Sequence, residues 1–324
     1  MSARTRRAPL VAVLAAASAL ALGACSSSSQ IEQRASIEAG GQPLTVDTSP
    51  DQKRIHTTAD AAAEALLPAA VAADGVLTVA TTPFSAPLDF YADDNATPIG
   101  NETDIAQLVA DALGLKLELV PTAWENWPLA TQSSQVDATI ANVTVTEQRK
   151  ELFDFSSYRV DNLGFLAQAG SKLAISAPED VAGLRVAVGS GTNQEKILLA
   201  WDKANRAKGL KPVDVQYFQN DGDTTLALQS GRIDVSFGPN ATAAYKAATS
   251  PDDFAVVGTV NGGWPLTAQI AVATAKGNGL APAVTAALNA AIADGSYEKV
   301  LDRWGLRSEA VEKSETNPAG LPAS

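Results

Sequence analysis

The sequence predicts an α/β protein of about two domains, and three observations support this prediction. The chain has 324 residues, 46% of them hydrophobic, which suffices for two cores at roughly 100–200 residues per domain. Predicted strands alternate with predicted helices of about ten residues, which is typical of a body built on a parallel sheet. Charged residues make up only 19% of the chain, which argues against a disordered protein.

The N-terminus has the features of an export signal. Three arginines precede the apolar segment Leu10–Leu22, which is too short to span a bilayer about 30 Å thick. The segment Leu22–Cys25 resembles the lipobox of bacterial lipoproteins, in which the cysteine is acylated and becomes the first mature residue. We therefore expect residues 1–24 to be a signal peptide and Cys25 to carry lipid, the alternative being a soluble secreted protein. Arg6-Arg7 leaves the choice between Sec and twin-arginine export open.

The polar segment 25–58 predicts a flexible tether between the lipid and a globular body. The formal net charge of −12 disfavours nucleic acid and anionic membrane surfaces as partners, so we expect the lipid to be the only membrane contact. One cysteine and one histidine exclude an intrachain disulfide, a thiolate metal cluster and a multi-histidine site, and we expect neither metal nor cofactor. Any Ser-His-Asp or Cys-His pair would need His56, which lies in this polar segment outside the predicted core.

The body begins with a helix in the alanine-rich segment 59–73, which Pro68 should interrupt. The segment 104–113 repeats apolar residues at helical spacing, whereas 115–120 alternates like a strand. The remaining predicted helices are 128–134, 192–203, 224–229, 241–248 and 281–304, the last with a break near Asp294-Gly295. The remaining predicted strands are 76–79, 138–145, 163–168, 184–188, 213–218, 233–237 and 269–274.

Several short motifs between Leu66 and Gly305 carry a family resemblance. They are Gly75–Thr81 with Pro87–Phe90, Gly100–Ile105, Gln132–Ala138, Thr144–Arg149 with Phe153–Ser156 and Tyr158, Ser190–Asn193, Gly231–Asp234, Asp294–Tyr297, and Trp304. In this order they resemble the extracytoplasmic solute-binding proteins of polar amino-acid ABC transporters, bacterial solute-binding family 3. The Thr144–Arg149 motif is the most specific of the set.

The resemblance implies a type II periplasmic-binding-protein-like fold with two lobes and a cleft. Lobe 1 would be discontinuous, comprising residues 59–167 and 269–324, and lobe 2 would comprise 168–268. Strands near Leu163–Gln168 and Gln269–Thr274 would form a two-strand hinge. A ligand that contacts both lobes would favour the closed state, because only such a ligand binds that state better.

The implied function is that of a lipid-anchored, extracytoplasmic, monomeric subunit of an importer, without catalytic residues. It would present a small polar solute bearing a carboxylate to an ABC permease and its ATPase. Two alternatives remain: an enzyme on the same fold, such as a cyclic-acid dehydratase with Glu102 as acid or base, and a sensor module for a membrane kinase.

Arg149 is the strongest candidate for binding the ligand's carboxylate, since a guanidinium offers paired donors. A surface salt bridge to Glu147 or Glu151 is the alternative for this arginine. The resemblance adds Asn142 and Thr144 near the same ligand group, and the turn Gly191, Thr192 and Asn193, where a helix N-terminus offers free N–H groups. Aromatic walls are expected from Trp124 and Phe84, with Trp127 and Trp264 as further candidates.

The sequence departs from the family where an α-ammonium is usually bound. The usual aspartate position is Pro239, and a second acidic position in the first loop is Thr82. A buried ammonium without a counter-charge is costly, so either another acid substitutes or the ligand is not a standard α-amino acid. Glu102 is one candidate, although it could equally serve as a helix N-terminal acid. Alternatively, Asn240 could occupy the amine position as a neutral acceptor.

Overall fold

The computed structural model describes residues 46–218 and 220–322. The predicted signal peptide, Cys25 and the first part of the predicted tether lie outside these ranges. Within them, no helix combines the length and apolar character needed to cross a bilayer.

The elements follow one another in the alternation that the sequence predicts. The first half contains α1 (Ala61–Glu64), α2 (Ala69–Asp74), β1 (Val76–Thr81), β2 (Phe84–Ser85), β3 (Asp89–Tyr91), β4 (Pro98–Ile99), α3 (Asn101–Ala112), β5 (Lys116–Pro121), α4 (Trp127–Gln132), β6 (Ala138–Thr144), α5 (Glu147–Lys150) and β7 (Phe153–Gln168). The second half contains β8 (Arg185–Ala187), α6 (Asn193–Ala207), β9 (Asp214–Gln216), α7 (Asp221–Gln229), β10 (Val235–Pro239), α8 (Asn240–Thr249), β11 (Phe254–Asn261), β12 (Ala268–Ala275), α9 (Ala281–Ala293) and α10 (Ser296–Trp304).

Two predicted helix breaks are present for local reasons. Pro68 separates α1 from α2 and caps the second helix, since proline lacks the N–H that a helix interior needs. Gly295 separates α9 from α10 with φ of 78°, a left-handed conformation that glycine adopts without steric cost.

The main sheet is mixed, so the prediction of a parallel sheet is wrong for several strand pairs. Its order is β5-β1-β6-β12-β7-β10-β8-β9, with β11 also paired to β7. β1 runs parallel to β5 and β6, but β12 is antiparallel to both β6 and β7, and β10 is antiparallel to β7. Sequence patterns did not reveal β11 or the first half of β7, where the inward positions include polar residues such as Ser156 and Arg159.

The strand β7 joins two lobes. Its residues up to Asp161 pair with β12, and its residues from Asn162 onward pair with β11. The second crossing lies between β11 and β12. At both crossings, the chain passes between the lobes a few residues before the predicted hinge strands. Residues 163–166 already pair with β10 in lobe 2, and residues 270–274 already pair with β6 in lobe 1.

Each lobe has its own core. In lobe 1, helices α3, α9 and α10 cover one face of the sheet, and Trp304 packs edge-on against Phe90 with 5.9 Å between ring centroids. In lobe 2, Phe165 and Phe237 stack at 4.1 Å, and Trp201 packs beside them. Separate cores allow the lobes to move as units about the β7 and β11–β12 crossings.

The last part of the predicted tether, residues 46–58, lies against lobe 1. Arg54 Nη1 is 2.6 Å from Asp104 Oδ1, and His56 Nδ1 is 2.7 Å from Asp111 Oδ2 on the outer surface of α3. Residues 46–58 therefore pack on the body of the protein, contrary to the prediction of a flexible tether for this part of the segment. His56 lies on this outer surface, with 62% of its side chain exposed, and does not border the cleft described below.

Candidate functional site

A cavity of about 920 Å³ lies between the two lobes. Lobe 1 contributes the loop after β1, the end of β6 and helix α5, and lobe 2 contributes the turn after β8 and the end of β10. Ten of the predicted ligand-binding residues border it: Thr82, Phe84, Glu102, Trp124, Asn142, Thr144, Arg149, Gly191, Thr192 and Asn193. Because residues from both lobes line one cavity, a ligand within it can contact both.

Arg149 extends from lobe 1 to the turn after β8 in lobe 2. Its Nη1 donates to the carbonyl of Thr144 at 2.8 Å, and its Nη2 lies 3.5 Å from the carbonyl of Gly191 in lobe 2. Its guanidinium carbon is 5.7 Å from the Trp124 ring centroid and 5.8 Å from that of Trp127. Burial lowers the pKa of Arg149 to about 10, so it remains charged at neutral pH.

No described carboxylate pairs with Arg149. The alternative of a salt bridge to Glu147 is not observed, since Glu147 pairs with Lys150 at 3.0 Å and accepts from the Gly320 N–H. Asp161 attracts the arginine without forming an ion pair, and burial raises the pKa of Asp161 above its usual value. The arginine therefore has donors available for an anion in the cleft.

The turn after β8 faces Arg149 from lobe 2. Gly191 has φ of 71°, a left-handed backbone, and its N–H donates to Glu195 Oε2 at 2.6 Å. The Thr192 hydroxyl caps α6 by accepting from the Glu195 N–H at 3.2 Å, and the Asn193 amide donates to the carbonyl of Gly262. The side chains of Thr192 and Asn193 thus hold the helix in place, and what they can offer a ligand is their backbone N–H groups.

Two further predicted residues have their side chains engaged within lobe 1. The Thr144 hydroxyl donates to Asp161 Oδ2 at 2.7 Å, and the Asn142 side-chain oxygen accepts from Arg159. Asn142 has φ of 53° at the edge of the cleft.

Glu102 belongs to a buried charge cluster. It accepts from the Tyr158 hydroxyl and lies 3.0 Å from Arg159, which also pairs with Glu309. The side chains of Glu102 and Arg159 are at most 2% exposed. Because both of its oxygens are engaged, Glu102 is a poor candidate for a ligand's cation or for the acid–base role of the dehydratase alternative.

Two candidates lie away from the cleft. Asn240 begins α8 and borders a small separate cavity with Tyr245 and Trp304, so the neutral-acceptor alternative at the amine position has no geometric support. Trp264 packs edge-on against Trp201 at 5.0 Å within lobe 2 and does not line the cleft. Of the predicted aromatic walls, Trp124, Trp127 and the 42%-exposed Phe84 border the cleft.

Sequence reasoning did not single out Asp89, which also borders the cleft. It is only 2% exposed, and neither of its carboxylate oxygens has a hydrogen-bond partner among the described residues. The sequence contained a signal for this position. An acid between the apolar residues Leu88 and Phe90 is a candidate for a buried carboxylate, and charged residues are seldom buried without a reason.

Comparison with known proteins identifies the family. A model of the bacterial extracellular solute-binding proteins, family 3, matches residues 77–307. The chain belongs to this family. The matched region spans both lobes and all the cleft residues named above.

This family 3 protein is 30% identical over 220 residues to the L-cystine-binding protein of Escherichia coli (strain K12), covering 67% of this chain and 78% of that one. It is 27% identical over 259 residues to an arginine-binding protein of Corynebacterium glutamicum, covering 80% of this chain and 83% of the relative. Among solved structures, an ancestral arginine-binding protein bound to arginine superposes with a TM-score of 0.62 at 28% identity, covering 71% of this chain and 98% of that one.

Another similar structure is an ancestral amino-acid-binding protein described as a precursor of cyclohexadienyl dehydratase, with a TM-score of 0.62 and 25% identity. It covers 72% of this chain and 97% of that one. The fold of this family 3 protein is thus that of two-lobed amino-acid-binding proteins, and its relatives are solute-binding proteins of ABC transporters.

Proposed function

We propose that this family 3 protein is the lipid-anchored binding subunit of an ABC importer and captures a small amino-acid-like solute through its carboxylate. Arg149 carries the proposal. It is a largely buried cation that faces the cleft, has no carboxylate partner among the described residues, and contacts both lobes. A carboxylate bound there would take up the free donors of the guanidinium.

Closure follows from the same contact. The Gly191–Asn193 turn lies opposite Arg149, so a carboxylate between them would be bound by a guanidinium from lobe 1 and by helix N-terminal N–H groups from lobe 2. A second interlobe hydrogen bond joins Lys196 Nζ to Gln148 Oε1 at 2.8 Å. The ligand would then stabilise the closed state in proportion to the contacts it makes with both lobes, and the closed form would dock on the permease.

The first experiment is a thermal-shift screen of the mature protein against L-amino acids, betaines, guanidino acids and small carboxylates, followed by calorimetry on the tightest binder. Arg149→Ala should weaken that binder by at least tenfold, because a hydrogen-bonded charge pair contributes about 1.5–3 kcal/mol. Arg307→Ala, which removes an arginine paired with Glu298 and Asp302 on the surface, should leave the affinity unchanged. Unchanged affinity in Arg149→Ala, or a tightest binder without an acid group, would reject the proposal.

A further inference from the structure

We propose that the last described residues, 316–322, form a strap that holds Arg149 in position for the ligand's carboxylate. Gly320 and Leu321 are the positioning residues of this strap, and neither of them borders the cleft. The inference rests on the proposed function, in which Arg149 binds that carboxylate. The strap lies beyond residues 77–307, the region that the family model matches.

The helix that carries Arg149 needs contacts from outside. Helix α5 has four residues, and a helix of this length is not stable alone. Its local bonds include one from the Arg149 N–H to the Thr146 hydroxyl at 3.1 Å and one from the Lys150 N–H to the Thr146 carbonyl at 3.0 Å. The placement of the guanidinium therefore depends on what packs against this single turn.

The backbone of the strap pairs with the segment that leads into α5. The Leu321 N–H donates to the Val145 carbonyl at 3.0 Å, and the Glu147 N–H donates to the Leu321 carbonyl at 2.8 Å. Together these bonds form a parallel bridge between Leu321 and Thr146. The strap thus extends the ordered backbone of β6 into the start of the helix.

Gly320 is in close contact with the same turn. Its N–H donates to the Glu147 side chain at 2.7 Å, and nearby Lys150 Nζ donates to the Pro318 carbonyl at 3.1 Å. A Cβ atom at position 320 would lie 2.7 Å from both the Glu147 nitrogen and the Thr146 carbonyl carbon. Only glycine fits there without a shift of the backbone, so this position keeps the strap close to α5.

The start of the strap is fixed on the long strand β7. The Asn317 N–H donates to the Phe155 carbonyl at 2.8 Å, and the Asn317 side-chain oxygen accepts from the Phe155 N–H at 2.9 Å. The Asn317 amide also donates to Asp154 Oδ1 at 2.9 Å. Because it is anchored in this way, the strap holds α5 relative to the lobe 1 sheet.

The end of the strap contacts the second crossing between the lobes. Gly263 lies in that crossing, and a Cβ atom there would stand 2.2 Å from Leu321 Cδ2, so the leucine occupies the space that this glycine leaves. The neighbouring Gly262 carbonyl accepts from the amide of Asn193, which begins α6 in lobe 2. The strap therefore touches α5 on one side and, on the other, the crossing that reaches the lobe 2 binding turn.

The first test measures amide hydrogen exchange in the ligand-free protein. Gly320→Ala should displace the strap, because the added methyl group would clash with backbone atoms of α5. The Arg149 amide bonds to the Thr146 hydroxyl and not to the strap, so its exchange reports on the helix, and we expect it to become faster by about tenfold or more. The control Arg54→Ala loosens residues 46–58, which also lie outside the family match but do not contact α5, and should leave this rate unchanged.

The second test separates positioning from stability. The probe is the carboxylate compound that gives the largest thermal shift in the screen described above, and calorimetry measures its affinity. Gly320→Ala should weaken this probe by about fivefold or more in the wild-type background, but by about twofold or less in the Arg149→Lys background, because the strap acts through the guanidinium. A merely structural role would lower the melting temperature and weaken the probe equally in both backgrounds.

Unchanged exchange at Arg149 in Gly320→Ala overturns the inference, and so does an equal loss of affinity in both backgrounds. If Gly320→Ala does not fold, Leu321→Ala is judged by the same two measurements, since it keeps the backbone bonds and removes the contact with Gly263. When Arg149→Ala abolishes binding but the strap variants bind as the wild type does, only this inference fails and the proposed function stands. When Arg149→Ala leaves the affinity unchanged, both fail.

Discussion

The replacement Arg159→Met should destabilise the protein more than a surface change, because among the described residues Arg159 is the cation that pairs with both Glu102 and Glu309 in the buried charge cluster. Its side chain is 2% exposed, and it pairs with Glu102 and Glu309, whose side chains are 0% and 3% exposed. Removing the guanidinium leaves two buried carboxylates without their counter-ion. Breaking one buried ion pair costs about 3–5 kcal/mol, so we expect at least that loss in the free energy of unfolding.

For a chain of this size, one kcal/mol corresponds to about 2 °C in melting temperature, so the expected fall is about 6–10 °C. Thermal unfolding followed by circular dichroism measures it. The control is Arg307→Met, which also removes an arginine with two carboxylate partners, Glu298 and Asp302, but at a position where the arginine side chain is 41% exposed. Surface pairs contribute at most about 1 kcal/mol, so the control should lose about 2 °C or less.

The loss should also depend on pH. Burial raises the pKa of Glu309 from 4.5 to about 7, so between these pH values the folded protein keeps a proton on Glu309 that the unfolded chain releases. The stability associated with that proton is present at low pH and is lost as pH rises from about 4.5 to about 7. Without Arg159 the pKa of Glu309 should rise further, so the deficit of Arg159→Met should be larger near pH 8 than near pH 5.5. A deficit equal to that of the surface control, or one that is independent of pH, would refute the reasoning.

Two further predictions concern the ends of the chain. Ending the chain after Glu315 should weaken ligand binding, because the C-terminal segment holds α5, the four-residue helix that carries Arg149 and is not stable alone. The Gly320 N–H donates to Glu147 at 2.7 Å, and the Glu147 N–H donates to the Leu321 carbonyl at 2.8 Å. Calorimetry on the truncated protein checks this, and unchanged affinity would mean that β6 alone positions the helix. At the other end, Cys25→Ser should move the protein from the membrane to the soluble fraction in cell fractionation, and retention in the membrane would contradict lipid anchoring.

Local physical chemistry was enough to predict most elements of the body. Helical periodicity identified α3, and strand alternation identified β5. The helix breaks were identified from Pro68 and Gly295. These features depend on residues close together in sequence, so they can be read without the fold. The first half of β7 was missed because its inward positions carry polar and charged side chains whose partners, such as Glu309 for Arg159, lie far along the chain.

In the cleft, too, some features could be predicted from the sequence and others depended on tertiary contacts. The sequence motifs brought Arg149, Thr144 and the Gly191–Asn193 turn together, and the structure places them around one cavity. Which acids remain free was decided only by tertiary contacts. Glu102 and Asp89 are both acids in sequence and both border the cleft, but Tyr158 and Arg159 engage the first and nothing described engages the second. Pairing depends on which distant side chains reach a carboxylate, and that is a property of the folded chain.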